Sequence, residues 1–450
     1  MNNMIEIKLG KLCEITSSKR IFASEYVEDG ILFCRSKEII EMANNKKITE
    51  PLYISKERFD EIKNKFGVPQ NGDLLLTSVG TLGVPYVVKE NDCFYFKDGN
   101  LTWMKNFSNK LNSKYLYYWL FSDFGKAPLL ACAIGSSQGA ITIDILNRFK
   151  IACPDRKIQD VIVSVLSRYD ELIEINNKRI KLLEQAAEIY FRKSYESEIK
   201  NKNTSTIRLK EILSFTRGLS YSSEEIDCDE GITLVNLKNI QAYGGFRRDG
   251  NKLYNGEYKE RQLVQQGDLI MGVTDMTQDR RTVGSVALIP DIAGVCVISA
   301  DLIKIETDIN KSFLYCLFRF GNVSKYISQF ANGANVLHLK PEVIKKVKVM
   351  MPTQEYIKAF SRIVTPMLDE IEMLYQQNDN LIKQRDLLLP RLMSGKLSVE
   401  TKTGSVPKVK KIISFDKFCS NMGMAARAKS ISDEDLRAMY EAYIDDDATE

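Results

Sequence analysis

The chain has 450 residues, of which 44% are hydrophobic and 27% charged, as in an ordinary globular protein with room for two or more domains. No stretch approaches the roughly 18 apolar residues of a membrane span, and acidic residues interrupt the apolar N-terminus, which argues against a signal peptide. The net charge of +4 permits nucleic-acid binding without requiring it.

Histidine and cysteine usage narrows the chemistry further. The single histidine, His338, makes a histidine-based metal site or catalytic triad hard to build, and its alternating surroundings favour a structural role. The nine cysteines are scattered without a C-x-x-C pair, which is typical of free thiols in a reducing compartment. We therefore expect a cytoplasmic protein without a metal site.

Taken in chain order, the predicted elements occur twice. The second copy follows the first with the same order and an offset of about 200 residues, which indicates one mixed α/β module used two times. The matched segments are IKLGKLCEIT with IRLKEILSFT, GILFCRSKEI with GITLVNLKNI, NGDLLL with QGDLIM, KYLYYWLF with SFLYCLFR, and two strand-like runs that end at Pro154 and Pro352.

Each copy is followed by a helical segment with apolar residues at alternating spacings of three and four, the pattern of a coiled-coil seam. Because a buried Asn on a seam needs a polar partner, the pattern predicts antiparallel pairing of the two helices around the central asparagines. Pro366 predicts a break in the second helix, with a matching break near Asp170 in the first. The central seam positions are Asn176, Ile180, Leu183, Ile371, Leu374, Asn378 and Leu381.

These elements predict an α+β fold of two repeated modules, each followed by a long helix, with the helices paired as an antiparallel coiled coil. The C-terminal extension belongs to neither repeat. The predicted boundaries are 1–154 and 201–352 for the modules, 155–200 and 353–396 for the helices, and 397–450 for the extension.

A Gly-rich turn after the NGDLLL strand raises the question of nucleotide binding. Gly80 and Gly83 form G-x-x-G, without a dinucleotide or P-loop motif. In the second copy a much longer polar segment separates Gly272 from Gly284, and a surface loop tolerates such an insertion where a phosphate cradle does not. The Gly-Asp-Leu strands are therefore interpreted as scaffold, and the differing loops as the place of recognition.

The order module, helix, module, helix, together with GDLLLTSVGTLG, resembles the specificity (S) subunit of type I restriction-modification systems over about residues 1–396. The second copy keeps Gly267, Asp268 and Leu269 but departs from the pattern downstream. The resemblance implies that each module is a target recognition domain, similar to that of adenine methyltransferases, and reads one half of a split, asymmetric double-stranded DNA sequence.

The resemblance also implies the partners. DNA methyltransferase (modification) subunits, two in number, would dock on the helices, and a restriction subunit with motor and nuclease activity would join them. S-adenosylmethionine and ATP with Mg²⁺ would bind to those partners, and this chain would hold no cofactor.

For DNA reading, Lys and Arg suit phosphates and guanine, and Asn and Gln suit adenine. Polar residues of these kinds occupy matching loops in both copies, although any one of them could be a solvated loop residue. The candidates are Arg35, Ser36, Lys37, Thr77, Ser78, Thr81, Ser136, Ser137 and Gln138 in the first copy, and Asn236, Lys238, Asn239, Thr277, Gln278, Arg280, Arg281, Asn332 and Asn335 in the second.

Catalysis by this chain is not expected, because it contains no Asn-Pro-Pro-Tyr-like methylase motif and no Gly-rich motif for a methyl donor. Three alternatives stay open from the residues alone. The chain could be a methyltransferase or nuclease with an unrecognised catalytic core, a structural coiled-coil adaptor, or the specificity subunit of another phage-defence methylase system.

Overall fold

The computed structural model describes residues 4–44, 46, 48–135, 139–226 and 228–397. These residues form two compact units. The first takes in the chain up to Ile175 and the segment from Asn378 onward, and the second takes in Asn176–Gln377. Each unit therefore contains one module and half of each long helix.

The first module is built from short strands and, among its described residues, five α-helices. The strands are β1 (Ile5–Lys8), β2 (Glu14–Thr16), β3 (Tyr26–Val27), β4 (Ile31–Cys34), β5 (Leu52–Ile54), β6 (Leu74–Thr77), β7 (Pro85–Val87), β8 (Phe94–Phe96), β9 (Leu101–Lys105) and β10 (Lys150–Cys153). They form a sheet of order β2-β9-β6-β7, a sheet of order β3-β5-β4-β8 and the pair β1-β10. The helices are α1 (Ser36–Ala43), α2 (Lys56–Phe66), α3 (Ser113–Phe121), α4 (Asp123–Ala131) and α5 (Ile143–Arg148).

The long helix α6 (Arg156–Lys200) follows, and then the second module. Its strands are β11 (Thr204–Arg208), β12 (Ser214–Arg217), β13 (Ile232–Val235), β14 (Lys252–Tyr254), β15 (Leu269–Gly272), β16 (Thr274–Asp275), β17 (Val286–Leu288), β18 (Cys296–Ile298), β19 (Leu302–Glu306), β20 (Leu337–His338) and β21 (Lys348–Pro352). Its helices are α7 (Lys311–Phe320), α8 (Val323–Ser328) and α9 (Pro341–Lys346), and the long helix α10 (Gln354–Met393) comes last.

Strand registers confirm that one module occurs twice. In the first module Thr77 lies opposite Leu101 on antiparallel strands β6 and β9, and in the second Gly272 lies opposite Leu302 on β15 and β19. The order β2-β9-β6-β7 returns as β12-β19-β15-β17. Strands β6 and β15 are buried along their whole length, which explains why both read as unbroken apolar runs.

The long helices pack antiparallel within each unit, as the seam pattern predicts. In the second unit the Tyr190 ring of α6 stacks on the Phe360 ring of α10, with centroids 5.6 Å apart. In the first unit Asp170 of α6 lies 2.6 Å from the Arg385 guanidinium of α10. The Arg179 guanidinium of α6 also pairs with the Glu370 carboxylate of α10 in the second unit, so positions there rise along α6 as they fall along α10.

The predicted helix breaks are wrong. Helix α10 continues through Pro366, and α6 continues through Asp170. A proline inside a helix costs about 3 kcal/mol, because it lacks an N–H and its ring crowds the preceding turn. Val364 and Met367 on either side are 0% and 3% exposed, and this core packing offsets the cost.

The predicted seam positions are mostly buried. Ile180, Leu183, Ile371 and Leu374 belong to one core cluster of the second unit. Asn378 is buried, whereas Asn176 and Leu381 are only half-buried. The pairing of Asn176 with Asn378 stays a prediction, and the extension 398–450 lies outside the described residues.

Candidate nucleic-acid interface

Three segments of the first module meet at one end of its central sheet, around the turn at Asn100. The Ser78 N–H donates to the Asn100 carbonyl at 2.8 Å, and the Ser36 hydroxyl approaches the same oxygen at 3.4 Å. The Ile141 N–H donates to the Ser78 carbonyl at 2.9 Å, which brings in the third segment. We call this end the recognition edge of the first module, made of the described residues 35–37, 79–83, 134–135 and 139–140.

The second module builds the same edge around Asp301. The Val273 N–H donates to the Asp301 carbonyl and the Leu339 N–H to the Val273 carbonyl, each at 2.8 Å. The Thr274 hydroxyl donates to the Asp301 carboxylate at 3.0 Å. The recognition edge of the second module consists of residues 236–238, 274–283 and 332–338.

A groove of about 390 Å³ lies in the recognition edge of the first module. The candidates Ser36, Lys37 and Thr81 line it together, although they are far apart in sequence. The Lys37 ammonium forms an exposed ion pair with Glu50 at 2.9 Å. The candidates Ser136, Ser137 and Gln138 lie outside the described residues.

Two first-module candidates, Thr77 and Ser78, are buried and hydrogen-bonded inside the protein. The Thr77 hydroxyl accepts from the Val84 N–H at 2.9 Å, and the Ser78 and Thr102 hydroxyls are 2.6 Å apart. Thr77 and Ser78 are 0% and 3% exposed. Their side chains support the turn rather than project from it, so a DNA contact by either would require the turn to open.

Arg35 is the N-cap of α1, and Asn236 is the N-cap of a short 3-10 helix, Leu237–Asn239, at the equivalent place in the second module. Each N-cap residue is held by the residue three positions later. The Arg35 N–H donates to the Glu38 carboxylate at 2.7 Å, and the Asn236 N–H donates to the Asn239 side-chain oxygen at 2.9 Å. Glu38 and Asn239 are each 0% exposed. Asn236 and Asn239 are therefore buried and hydrogen-bonded within this cap and do not project into solvent. In the first module the Arg35 guanidinium forms an ion pair with Glu38.

The carboxylate at this cap remains ionised despite its burial. Burial alone raises the pKa of Glu38, but hydrogen bonds from the Arg35 side chain and backbone, with further help from the Arg35 charge, outweigh it and lower that pKa below the ordinary value. The equivalent Asn239 does not titrate. The two modules therefore close the same cap with different chemistry.

The long loop of the second recognition edge carries its most exposed candidates. Thr277, Gln278, Arg280 and Arg281 are all exposed on it. The Gln278 amide donates to the Ala334 carbonyl at 2.8 Å, which joins this loop to the hairpin that carries the exposed Asn332 and Asn335. The structure thus brings these six candidates together, with the exposed Lys238 on the third segment of the edge.

Sequence reasoning missed one residue of the second edge, His338, and one residue beside it, Arg217. His338, for which we expected a structural role, lies on β20 opposite Thr274 with its side chain exposed. The Arg217 guanidinium is exposed and donates to the Ala300 carbonyl at 3.2 Å, beside Asp301. The repeat alignment could have found both, because His338 matches Ala140 of the first hairpin and Arg217 matches Ser17 after the first copy's opening strand.

The part of the chain that the structure describes offers neither a metal site nor a membrane-spanning helix. No group of three or more His, Cys, Asp or Glu residues there is placed to hold a metal ion. Within the same residues, no helix combines the length and the apolar character that a membrane crossing requires. The cysteines among them are free thiols.

Comparison with known proteins adds independent information. Residues 1–185 match the family model for the type I restriction modification DNA specificity domain. A predicted type I restriction enzyme specificity subunit of Haemophilus influenzae is 31% identical over 192 residues, which cover 42% of this chain and 46% of that protein. The type I restriction enzyme MjaIX specificity subunit of Methanocaldococcus jannaschii is 25% identical over 358 residues, 73% of this chain and 78% of that protein.

A solved structure is similar over nearly the whole described length. The S subunit of a type I restriction-modification system from M. genitalium has a TM-score of 0.54 at 16% identity, and the match covers 87% of this chain and 96% of that one. At this identity the likeness supports the fold alone, and the sequence matches add similarity to type I specificity subunits. In sequence and in fold, the chain is similar to the specificity subunits of type I restriction-modification systems.

Proposed function

We propose that this chain is the DNA-recognition subunit of a type I restriction-modification complex and reads a bipartite, asymmetric double-stranded target. One observation carries the proposal: the same recognition edge is built twice on one scaffold, with different exposed side chains. A duplicated scaffold suits two separate half-sites, because each module can present its own loops to one of them.

Asymmetry of the target follows from the differences between the edges. The first edge has a short turn at Gly80 where the second has the loop that carries Arg280. The first hairpin has Ala140 where the second has His338. Because bases are distinguished by the hydrogen-bonding pattern of side chains, unlike edges favour unlike half-sites.

The exposed residues divide into two kinds of contact. Lys37 and Lys238 hold equivalent places on the two edges and suit phosphate contacts, which provide affinity without sequence preference. Gln278, Arg280 and Asn335 have side chains that can pair with base edges. We therefore assign base reading in the second module mainly to its long loop and hairpin.

The long helices are the proposed docking sites for two methyltransferase subunits and a restriction subunit. Large apolar side chains are exposed along them, namely Leu172 (48%), Ile175 (55%), Met373 (55%) and Leu387 (66%). Exposed apolar groups of this size on helices are typical of protein interaction surfaces. S-adenosylmethionine and ATP with Mg²⁺ would bind to those partners, and the assembled complex would act in the cytoplasm without catalysis by this chain.

Mapping of methylated bases in cells that express the chain with its methyltransferase partner tests the proposal. The expected result is one asymmetric target of two short half-sites, separated by a spacer of fixed length and free sequence. One continuous target, or a spacer of variable length, would contradict two modules held by a fixed connection.

A second measurement separates the main alternatives. The purified chain alone should bind duplex DNA with strong salt dependence and show neither methyl transfer nor cleavage. Methyl transfer or cleavage by the chain alone would favour an enzyme with an unrecognised core. Absence of salt-dependent DNA binding would favour a structural adaptor.

A further inference from the structure

The loop at 274–283 is an insertion into a turn whose base is the same in both modules. The Gly83 N–H donates to the Thr77 carbonyl at 2.8 Å, and the Gly284 N–H donates to the Gly272 carbonyl at 2.7 Å. Between these residues the first module has positions 78–82, whereas the second has positions 273–283. The second module therefore needs something to order the added chain.

Asp275, at the base of the insertion, supplies that order. One carboxylate oxygen accepts from the Thr277 N–H and the Thr277 hydroxyl, each at 2.9 Å. The other accepts from the Thr282 N–H at 2.7 Å and the Val283 N–H at 3.2 Å. One buried side chain, 2% exposed, thus binds both ends of the loop.

The environment of Asp275 keeps it charged. Burial alone raises the pKa of its carboxyl, but hydrogen bonds from the Thr282 and Thr277 backbones, and then from their hydroxyls, lower that pKa below its ordinary value. Its equivalent in the first module is Gly80, an exposed glycine with φ of 80° in a turn too short to need such an anchor.

The clamped loop holds Arg280 in a backbone conformation that it would not favour alone. Its φ is 54°, in the left-handed region that residues with a Cβ rarely adopt. The next carbonyl, that of Arg281, accepts from the Tyr243 N–H at 2.8 Å and the Ser285 hydroxyl at 2.9 Å. Such a conformation persists only where surrounding bonds determine it, and the Asp275 bonds are the largest set in this loop.

We propose that Asp275 is a positioning residue for DNA reading, and that it acts by holding the 276–281 loop so that Arg280 is presented to the half-site of the second module. This inference rests on the proposed function. Asp275 touches no base itself, because it is buried beneath the loop. Because the first module has Gly80 at the equivalent position, substitution of Asp275 should alter base preference in only one half-site.

Asp275→Asn tests the proposal, because an amide keeps the size of the side chain and loses one acceptor. Its NH₂ group would face either the Thr282 and Val283 N–H groups or the Thr277 N–H and hydroxyl. The Thr277 hydroxyl could turn to accept from it, but a backbone N–H cannot, so at least one backbone N–H of the loop loses its acceptor. Asp308→Asn is the matched control, since it removes the same charge from an exposed position beyond the far end of β19, away from the recognition edge.

The readout is the methylation map of cells that express each variant with its methyltransferase partner. Asp275→Asn should lower the preference for the cognate base by about tenfold at one position of the second half-site, with the first half-site unchanged. Asp308→Asn should leave both half-sites unchanged. An Asp275→Asn map identical to that of the unaltered chain would overturn the proposal.

Arg280→Ala shows whether the clamp acts through Arg280. It should relax the same base position, and the double variant should add little to Arg280→Ala alone, because the clamp then has nothing to present. Relaxation at different positions, or fully additive effects, would overturn the proposal. If Asp275→Asn abolishes methylation, amide hydrogen exchange of the purified chain decides: unchanged exchange at Thr282 and Val283 overturns the clamp, and faster exchange supports it.

The unaltered chain separates the two levels of inference. If its map contains no two-part target, the proposed function fails. If its map contains the target and Asp275→Asn preserves it, only the role of Asp275 fails.

Discussion

The two modules share their central four-stranded sheet down to the register, yet their recognition edges differ in length, charge and anchoring. The bond from Gly83 to Thr77 and the bond from Gly284 to Gly272 close the same turn. Above this closure the first module has Gly80 in a short turn, and the second has a longer loop whose two ends are bound by Asp275. The loop can therefore differ in length and sequence between the modules without disturbing the sheet, because the hydrogen bond that closes the turn lies at the base of the loop.

A second contrast lies in the buried caps. Glu38 and Asn239 hold equivalent places, and each accepts a hydrogen bond from the backbone N–H three residues earlier. The carboxylate also binds the Arg35 side chain, whereas the amide donates to the Arg247 carbonyl and to Asn251. The scaffold requires an acceptor at this place, and the remaining partners of that side chain are set separately in each module.

The largest expected effect tests whether the two units are stabilised separately. Leu183→Asp places a charge in the core of the second unit, where Leu183 is 0% exposed, and should reduce the free energy of unfolding of that unit by about 3–5 kcal/mol. Amide hydrogen exchange should accelerate in β15 and not in β6. The control, Ile189→Asp, alters a 37% exposed side chain on the same helix and should cost about 1 kcal/mol or less.

Equal acceleration in β6 and β15 would contradict this prediction. It would mean that loss of one core destabilises the other unit through the continuous helices. The two modules would then differ in their recognition edges but not in independent stability.

The next effect tests the amide at the second cap. Asn239→Asp should destabilise the second module by about 2–3 kcal/mol, because a carboxylate would then face the Arg247 carbonyl and the Asn251 side-chain oxygen, now 2.8 and 2.7 Å from the Asn239 amide nitrogen. Urea denaturation measures the change. Asn332→Asp, at an exposed position of the same module, should alter stability by less than about 0.5 kcal/mol. Equal effects of the two variants would show that the buried amide is not needed.

A smaller, pH-dependent effect tests the carboxylate at the first cap. The folded pKa of Glu38 is lowered from an ordinary value of 4.5, so its ionised form stabilises the first module above that pH. This contribution should be lost as the pH falls through the lowered folded pKa. Glu38→Gln should therefore cost about 1–2 kcal/mol at pH 7, and the difference from the unaltered chain should shrink below about pH 4.5.

Unfolding titrations of both chains between pH 7 and pH 3 provide the measurement. A difference that stays constant over this range would mean that the charge of Glu38 does not contribute. Because Asn239 does not titrate, the second cap supplies no comparable pH dependence.

The smallest expected effect lies where the two edges are alike. Lys37→Ala and Lys238→Ala should each weaken DNA binding by less than about 1 kcal/mol, evenly across sequences, and each should reduce the salt slope by about one. The double variant should reduce the slope by about two. Titrations with duplex DNA at several salt concentrations test this, and a change of base preference in either single variant would mean that the lysine reads a base.

Several features of this protein follow from local sequence alone. The repeat, the buried runs of β6 and β15 and the antiparallel seam with Ile180 and Leu374 could all be predicted. The physical reason is that burial places apolar residues at short, regular intervals along the chain. They occupy every position of these two strands and every third or fourth position of the helices. These intervals can be read from the sequence without knowing which element packs against the strand or helix.

Other features were decided only by tertiary contacts. Pro366 remains inside α10 because core packing on both sides outweighs its local cost. Thr77 and Asn239 were polar loop residues in the sequence and are buried supports in the structure, because their partners, Val84 and Arg247, stand close only in the folded module. The exposure of the His338 side chain likewise depends on the pairing of β20 with β16.

The recognition edge combines both levels. Its loops could be located from the repeat, since they are the segments where the two copies differ. Which side chains reach solvent was decided by bonds such as those of Asp275, whose donors lie two, seven and eight residues away. A regular sequence pattern cannot predict such bonds. They depend on how the loop folds back on itself, and their partners are not spaced at a regular interval.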